Sequence, residues 1–288
     1  MPTNPRKVSE KPMISITITP EERKTGELPP DKVATALQAM AEDGVVALRQ
    51  AIEVAAIDKL CVKMLEDLAH YEELYEIDNN FQGVRPPPFH PFLFPEIVFN
   101  EPAITISRAV LGPAATLTSY GANTAFTGSQ PQIVHADAVP PQPGPYGPCT
   151  LLVVNVALVD VTEENGATIY WPGTHHDTRL HSGNRFPTAE MIAEWEAKRP
   201  AERVLTQRGD LVLRDMRVWH GGMPNRTPIH RPMLALVHRS TKPEQGTFEA
   251  EVGSEDFWAS HPRLQSSPFF VPKPIDYLRQ GHSRPGKK

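Results

Sequence analysis

The spacing of apolar residues changes along this chain, and the change predicts its architecture. Between residues 53 and 74, Val54, Ile57, Leu60, Cys61, Met64, Leu65 and Leu68 recur every three to four positions, which puts them on one face of a helix. A second helix is expected over 31–42, where Pro29 and Pro30 precede a capping Asp31 and Gly44 sits where a C-terminal cap belongs. Residues 13–19 alternate Ile with Ser or Thr, a short strand pattern, and 45–48 form an apolar strand. From about residue 115 the period shortens. Strands are expected at 116–120, 133–137, 150–158, 167–171, 209–214 and 233–238, separated by Gly, Pro and Asn. A helix at 188–198, ended by Pro200, interrupts them and would cover a barrel mouth or extend a lid. The pattern predicts a mainly β fold with flanking helices, a double-stranded β-helix of the jelly-roll, cupin-like kind. Residues 1–12 read as a disordered lead. Residues 13–288 read as one domain: a β core at about 115–240, helical support at 31–75 and a wrapping tail at 244–288.

Composition narrows the function classes. At 288 residues the chain can bury one substantial core. A net charge of −5 gives no reason to expect nucleic acid or an anionic membrane as partner. Cys61 and Cys149 form no disulfide framework, which suits a reducing, cytoplasmic setting. The first residues lack the apolar core of a signal peptide, and no apolar stretch reaches the length of a membrane span. Many of the 31 prolines fall in clusters that mark loops. Oligomeric state is open, and a homodimer is compatible with the pattern.

The chemistry concentrates in His135-Ala136-Asp137 and, 83 positions downstream, His220. Two histidines and one carboxylate are the protein half of a non-haem Fe(II) site that keeps one metal face open. On a strand, His135 and Asp137 would point to the same side. Gly221, Gly222, Pro224 and Asn225 then supply turn chemistry, and Arg231 heads an apolar run 11 residues past His220. A guanidinium fixed there would pair with a carboxylate. An open-faced iron beside a buried carboxylate receptor is what 2-oxoglutarate requires.

These residues carry a resemblance. Gln132-x-x-His135-x-Asp137, the run from Glu164 through Gly166, Thr168, Tyr170, Trp171, Pro172 and Gly173 to His175, then Gly209-Asp210-Leu211-Val212-Leu213, Trp219-His220-Gly221 and Arg231 follow one another as in the phytanoyl-CoA dioxygenase family. The chain resembles that family from about residue 45 to 239. The segments 93–96, 170–173 and 214–220 look like its secondary-metabolite members of the kanamycin B dioxygenase type. The resemblance implies an enzyme that uses Fe(II), 2-oxoglutarate and O2, with ascorbate as in vitro reductant. It implies His135, Asp137 and His220 as iron ligands and Arg231, Thr168 and Gln132 as co-substrate contacts. It further implies a small-molecule substrate, a natural-product intermediate that is hydroxylated, desaturated or cyclised with release of succinate and CO2. Asp137 argues against a halogenase, which resembles these enzymes but places a small residue there. An acyl-CoA hydroxylase and a non-catalytic metal-binding jelly-roll protein remain as alternatives. Tyr120, Asn123 and Trp171 are candidate substrate-pocket residues, although tryptophans such as Trp171 and Trp219 also suit packing. His175, His176 and Asp177 form a rival metal cluster. The long loop at 75–94 is a candidate selector of substrate.

Overall fold

A computed structural model describes residues 13–74, 84–142, 144, 147–242 and 246–279. The expected disordered lead, residues 75–83 of the expected substrate loop and the last residues of the expected tail lie outside the described residues. Strand β1 (Ser15–Thr17) leads into helix α1 (Pro20–Thr25). No periodicity announced α1, because six residues are too few to show one. Its start is written in a capping box: Thr19 N donates to Glu22 Oε2 at 2.7 Å, and Glu22 N donates back to Thr19 Oγ1. The sequence pattern predicted Asp31 as the cap of helix α2 (Pro30–Glu42), but the N-cap is Pro29, with no side-chain capping hydrogen bond. Asp31 sits in the first turn, where its charge favours the helix dipole. Gly44, at φ 75°, follows the C-cap and donates to Ala39 O. Strand β2 (Val45–Arg49) and helix α3 (Val54–Leu74) follow. Helices α4 (Pro95–Val98) and α5 (Glu101–Leu111) fall in a stretch without a predicted element; Asn100 caps α5 by accepting from Ala103 N at 3.1 Å.

The β elements are β3 (Thr116–Ala125), β4 (Leu151–Ala157) and β5 (Ile169–Tyr170), then helix α6 (Ala189–Lys198), then β6 (Glu202–Arg203), β7 (Leu211–Asp215), β8 (His220–Gly221) and β9 (Arg231–Arg239). The tail adds β10 (Glu249–Glu251), helix α7 (Glu255–Ala259), β11 (Gln265–Ser266) and β12 (Phe269–Val271). One expected strand is absent. Residues 133–137 make a single isolated bridge, His135 to His220, and no ladder.

The large sheet runs β1-β2-β7-β4-β9-β3-β11, and a small one runs β6-β5-β8. The expected jelly-roll architecture is present, as these two sheets, which do not close into a barrel; β10 and β12 of the tail pair separately. Alternation divides the large sheet. Val46, Leu48, Leu152, Val154, Leu211, Leu213, Leu234 and Leu236 face a core shared with Met40, Ile57, Leu60, Met64 and Ile104 of the helices. Each such side chain contributes about 1.5–3 kcal/mol by leaving water. The alternate residues, including Asn155, Val212, Arg214, Arg231 and Met233, face a cavity on the other side. The helices thus brace one face of the sheet while the other carries the site. Phe248, Trp258 and Leu264 of the tail pack into the helical core, and β11 extends the sheet edge alongside β3. Among the described residues no helix is long and apolar enough to cross a membrane.

Candidate active site

His135, Asp137 and His220 meet at one end of this cavity, each offering a ligand atom within 4.8 Å of the others. His135 Nε2 lies 3.4 Å from Asp137 Oδ1, and His220 Nε2 lies 3.4 Å from Asp137 Oδ2. The other ring nitrogens fix both tautomers. His135 Nδ1 is 2.8 Å from Ile133 O and His220 Nδ1 is 3.0 Å from Val218 O, so each Nδ1 carries the proton and each Nε2 presents a lone pair. Burial pulls His220 down to about 3, with the Arg214 charge acting in the same direction, which keeps the imidazole neutral. Burial alone would raise the Asp137 carboxyl; His220, Arg214 and His135 around it hold it well below the ordinary carboxylate range. With each Nδ1 engaged by a carbonyl, both Nε2 atoms and the carboxylate are left to face a divalent cation.

Arg231 heads β9, is 2% exposed and lines the same cavity. Its Nη2 donates to Gly166 O at 2.9 Å, while Nε and Nη1 are buried with no partner. Burial lowers this guanidinium to about 10, so it stays charged at neutral pH. A buried charge with two unpaired donors demands an anion. Thr168, Gln132 and Asn123 also line the cavity. Gln132 ties the two ligand segments together, because its Oε1 accepts from Gly222 N at 2.7 Å and its backbone N donates to Gly222 O. The donor set, the fixed tautomers and the orphaned Arg231 nitrogens fit a ferrous ion and a dicarboxylate.

Two candidate pocket residues lie elsewhere. Tyr120 points to the opposite face of β3, where its ring packs against Trp258 and Phe248 in the helical core. Trp171 is fully buried behind the site with Trp219, Ala136 and Leu180, and its Nε1 donates to Glu196. Trp219 faces away from the ligands, as its place next to His220 requires, and its backbone N–H donates to Thr174 Oγ1 at 2.8 Å. The rival cluster does not assemble. His175 and His176 both turn Nε2 toward Ala41 O, and Asp177 pairs with Arg179. Among the described residues the only grouping of metal-ligating side chains is the triad. Two polar cavity residues escaped sequence reasoning, along with the apolar Val204, Val212 and Met233: Asn155, which donates to Leu234 O, and Arg214, which donates through Nη2 to Asp137 Oδ2 at 2.7 Å. The signal for Arg214 is present in Leu211-Val212-Leu213-Arg214, a charge on the same alternation as Val212.

A jelly roll with this cavity defines the non-haem iron, 2-oxoglutarate-dependent oxygenase class. The chain belongs to the phytanoyl-CoA dioxygenase (PhyH) family, whose profile matches residues 40–233. It is 27% identical over 133 residues to the dioxygenase af480 of Aspergillus fumigatus, a match that covers 46% of this chain and 40% of that protein. Its fold is similar to that of AviO1 from Streptomyces viridochromogenes Tue57, with a TM-score of 0.54 at 18% identity over 73% of this chain and 96% of that one. It is also similar to SnoN, the non-haem α-ketoglutarate-dependent epimerase of nogalamycin biosynthesis, with a TM-score of 0.58 at 18% identity over 73% and 84%. A further SnoN structure, in complex with Fe3+, α-ketoglutarate and nogalamycin RO, gives 0.57 at 18% identity, with the same coverage.

Proposed function

We propose that this chain oxidises an unactivated C–H bond of a small natural-product intermediate, by hydroxylation, desaturation or oxidative cyclisation. The observation that carries this reading is one cavity joining the His135–Asp137–His220 triad to a buried Arg231 with two unpartnered nitrogens. When bound, ferrous iron and 2-oxoglutarate supply the power to oxidise such a bond with O2, releasing succinate and CO2. The chain supplies the rest. His135, Asp137 and His220 would hold the metal through two imidazole nitrogens and one carboxylate oxygen. Arg231 takes the distal carboxylate of the co-substrate, and Thr168 and Gln132 flank it. Val204, Val212 and Met233 form apolar wall that keeps water from the reacting centre. Beside His135 the protein exposes Ile133 (74%) and Phe186 (45%), whose ring centroid lies 6.5 Å from that of His135. Arg185 stands over the Phe186 ring, so this rim joins apolar surface to a cation, whereas the phosphates of coenzyme A call for a cluster of cations. Free thiols at Cys61 and Cys149 suit a reducing, cytoplasmic setting, where iron stays ferrous.

The test is turnover. Protein, Fe(II), ascorbate and 2-oxoglutarate are mixed with a panel of terpenoid, polyketide, alkaloid and acyl-CoA substrates. Succinate should appear in step with a product that gains one oxygen or loses two hydrogens. Preference for the acyl thioesters would return the reading to acyl-CoA hydroxylation. No succinate above background with any compound, and Asp137→Ala indistinguishable from wild type, would leave a metal-binding jelly roll without turnover.

A further inference from the structure

Arg214 is the charge this cavity has not yet accounted for. It lies on β7 between Val45 of β2 and Val153 of β4, on the cavity side of the large sheet. Only 5% of it is exposed. A guanidinium taken out of water costs several kcal/mol unless each donor finds an acceptor. Nη2 has one, Asp137 Oδ2 at 2.7 Å. Nη1 is buried and has none. Holding Asp137 therefore explains half of this side chain. The residues lining the cavity carry two guanidinia, Arg214 and Arg231, against one carboxylate, Asp137. A divalent cation on the triad makes the cavity still more positive. The charge is relieved by an anion that arrives with the metal and reaches both guanidinia.

We infer that Arg214 is a second anion receptor, holding Asp137 through Nη2 and meeting through Nη1 the carboxylate of a 2-oxo acid at its metal-proximal end. The inference rests on the function proposed above. Arg231 then takes the far carboxylate and Arg214 the near one, so the cavity measures its co-substrate from both ends. Arg214 also keeps one Asp137 oxygen engaged, which leaves the other for the metal. A lysine cannot do both, because one ammonium replaces a fork of donors.

The test separates these roles by binding and spectroscopy. Mn(II) affinity and 2-oxoglutarate affinity of the Mn(II)-loaded protein are measured by calorimetry. The visible charge-transfer absorption of the anaerobic Fe(II)–2-oxoglutarate protein is recorded alongside. Arg214→Met should lose about 10–100-fold in Mn(II) affinity through Asp137 and, at saturating Mn(II), should lose 2-oxoglutarate affinity by at least about tenfold and shift the absorption band. Arg214→Lys should fall between Arg214→Met and wild type. Pyruvate, which has the 2-oxo acid end without a distal carboxylate, should bind less well to Arg214→Met and unchanged to Arg231→Met. If Arg214→Met changes Mn(II) affinity but leaves 2-oxoglutarate and the band as in wild type, Arg214 only positions Asp137 and the inference is overturned. Should Arg214→Met not fold, Arg214→Lys decides, and a 2-oxoglutarate affinity within about twofold of wild type overturns it equally. Wild-type protein that binds Mn(II) but no 2-oxoglutarate overturns the proposed function along with this inference.

Discussion

His135 and His220 exchange backbone hydrogen bonds across the cavity end, each N–H donating to the other's carbonyl at 2.9 Å. Their ring centroids lie 4.4 Å apart. The two imidazoles are thus held by main chain and need no metal to bring them together. Asp137, two residues beyond His135, closes the triad from the same segment. Preorganisation of this kind lowers the ordering cost of binding.

Metal binding should therefore depend on side chains and not on fold. Asp137→Ala or His220→Ala is expected to lower Mn(II) affinity by at least about 100-fold, since even outer partners of a metal site are worth 10–100-fold. The backbone pair survives in both variants, so His220→Ala should cost about 1–2 kcal/mol in the metal-free protein, whereas Asp137→Ala, which leaves the buried Arg214 guanidinium without its partner, should cost about 3–5 kcal/mol. Calorimetric Mn(II) titration and urea denaturation of the same samples check both parts.

Arg231 presents the opposite balance. Its charge is buried with a single hydrogen bond, to Gly166 O, so the empty protein carries an uncompensated cost. Arg231→Met should be as stable as wild type, or up to about 2 kcal/mol more stable, in the absence of ligand. It should also lose the thermal stabilisation that 2-oxoglutarate gives the Mn(II)-loaded protein. A large drop in ligand-free stability would show that the guanidinium is structurally paired after all.

Gly166 supports that arginine from below. Its φ of 88° is left-handed, and an added Cβ would lie 2.5 Å from the backbone oxygen of Met223, which cannot swing aside. Gly166→Ala is expected to cost about 2–4 kcal/mol and to displace the carbonyl that holds Arg231. Denaturant midpoints and 2-oxoglutarate affinity should fall together. A stable variant with normal affinity would contradict this account.

Acid should destabilise the protein before its carboxylates titrate. Burial lowers both His175 and His238 to about 4. His238 shares a 2.9 Å hydrogen bond with Ser107 Oγ, and its Nε2 is buried without a partner. Both rings are neutral when folded, whereas an unfolded histidine titrates near 6.5. The unfolded chain therefore gains protons first. Stability is complete above about pH 6.5 and is lost as pH falls toward 4, by on the order of 3 kcal/mol per histidine. His238→Gln should flatten part of that slope in urea denaturation between pH 7.5 and 4.5.

The sequence alone determined the periodic elements and the order of the chemistry. Helix α3 and strands β4, β7 and β9 are legible because side-chain period follows backbone geometry, which is local. His135-x-Asp137, His220 and Arg231 are legible because a metal and a diacid need particular donors in a particular order. Tertiary structure decided which face of each strand met the cavity. Alternation says that Tyr120 and Asn123 point opposite ways but not which one meets the helices. The helices claimed Tyr120, leaving Asn123 to the cavity, and a register shift between Leu117 and Ser119 sets the phase. The same choice buried Trp171 behind the site and turned Arg214 onto Asp137. Residues 133–137 bridge His220 without forming a strand, because their partner is a two-residue strand supplied from far along the chain. Period is a property of neighbours in sequence, whereas facing is a property of what packs against them, and only the folded chain supplies that.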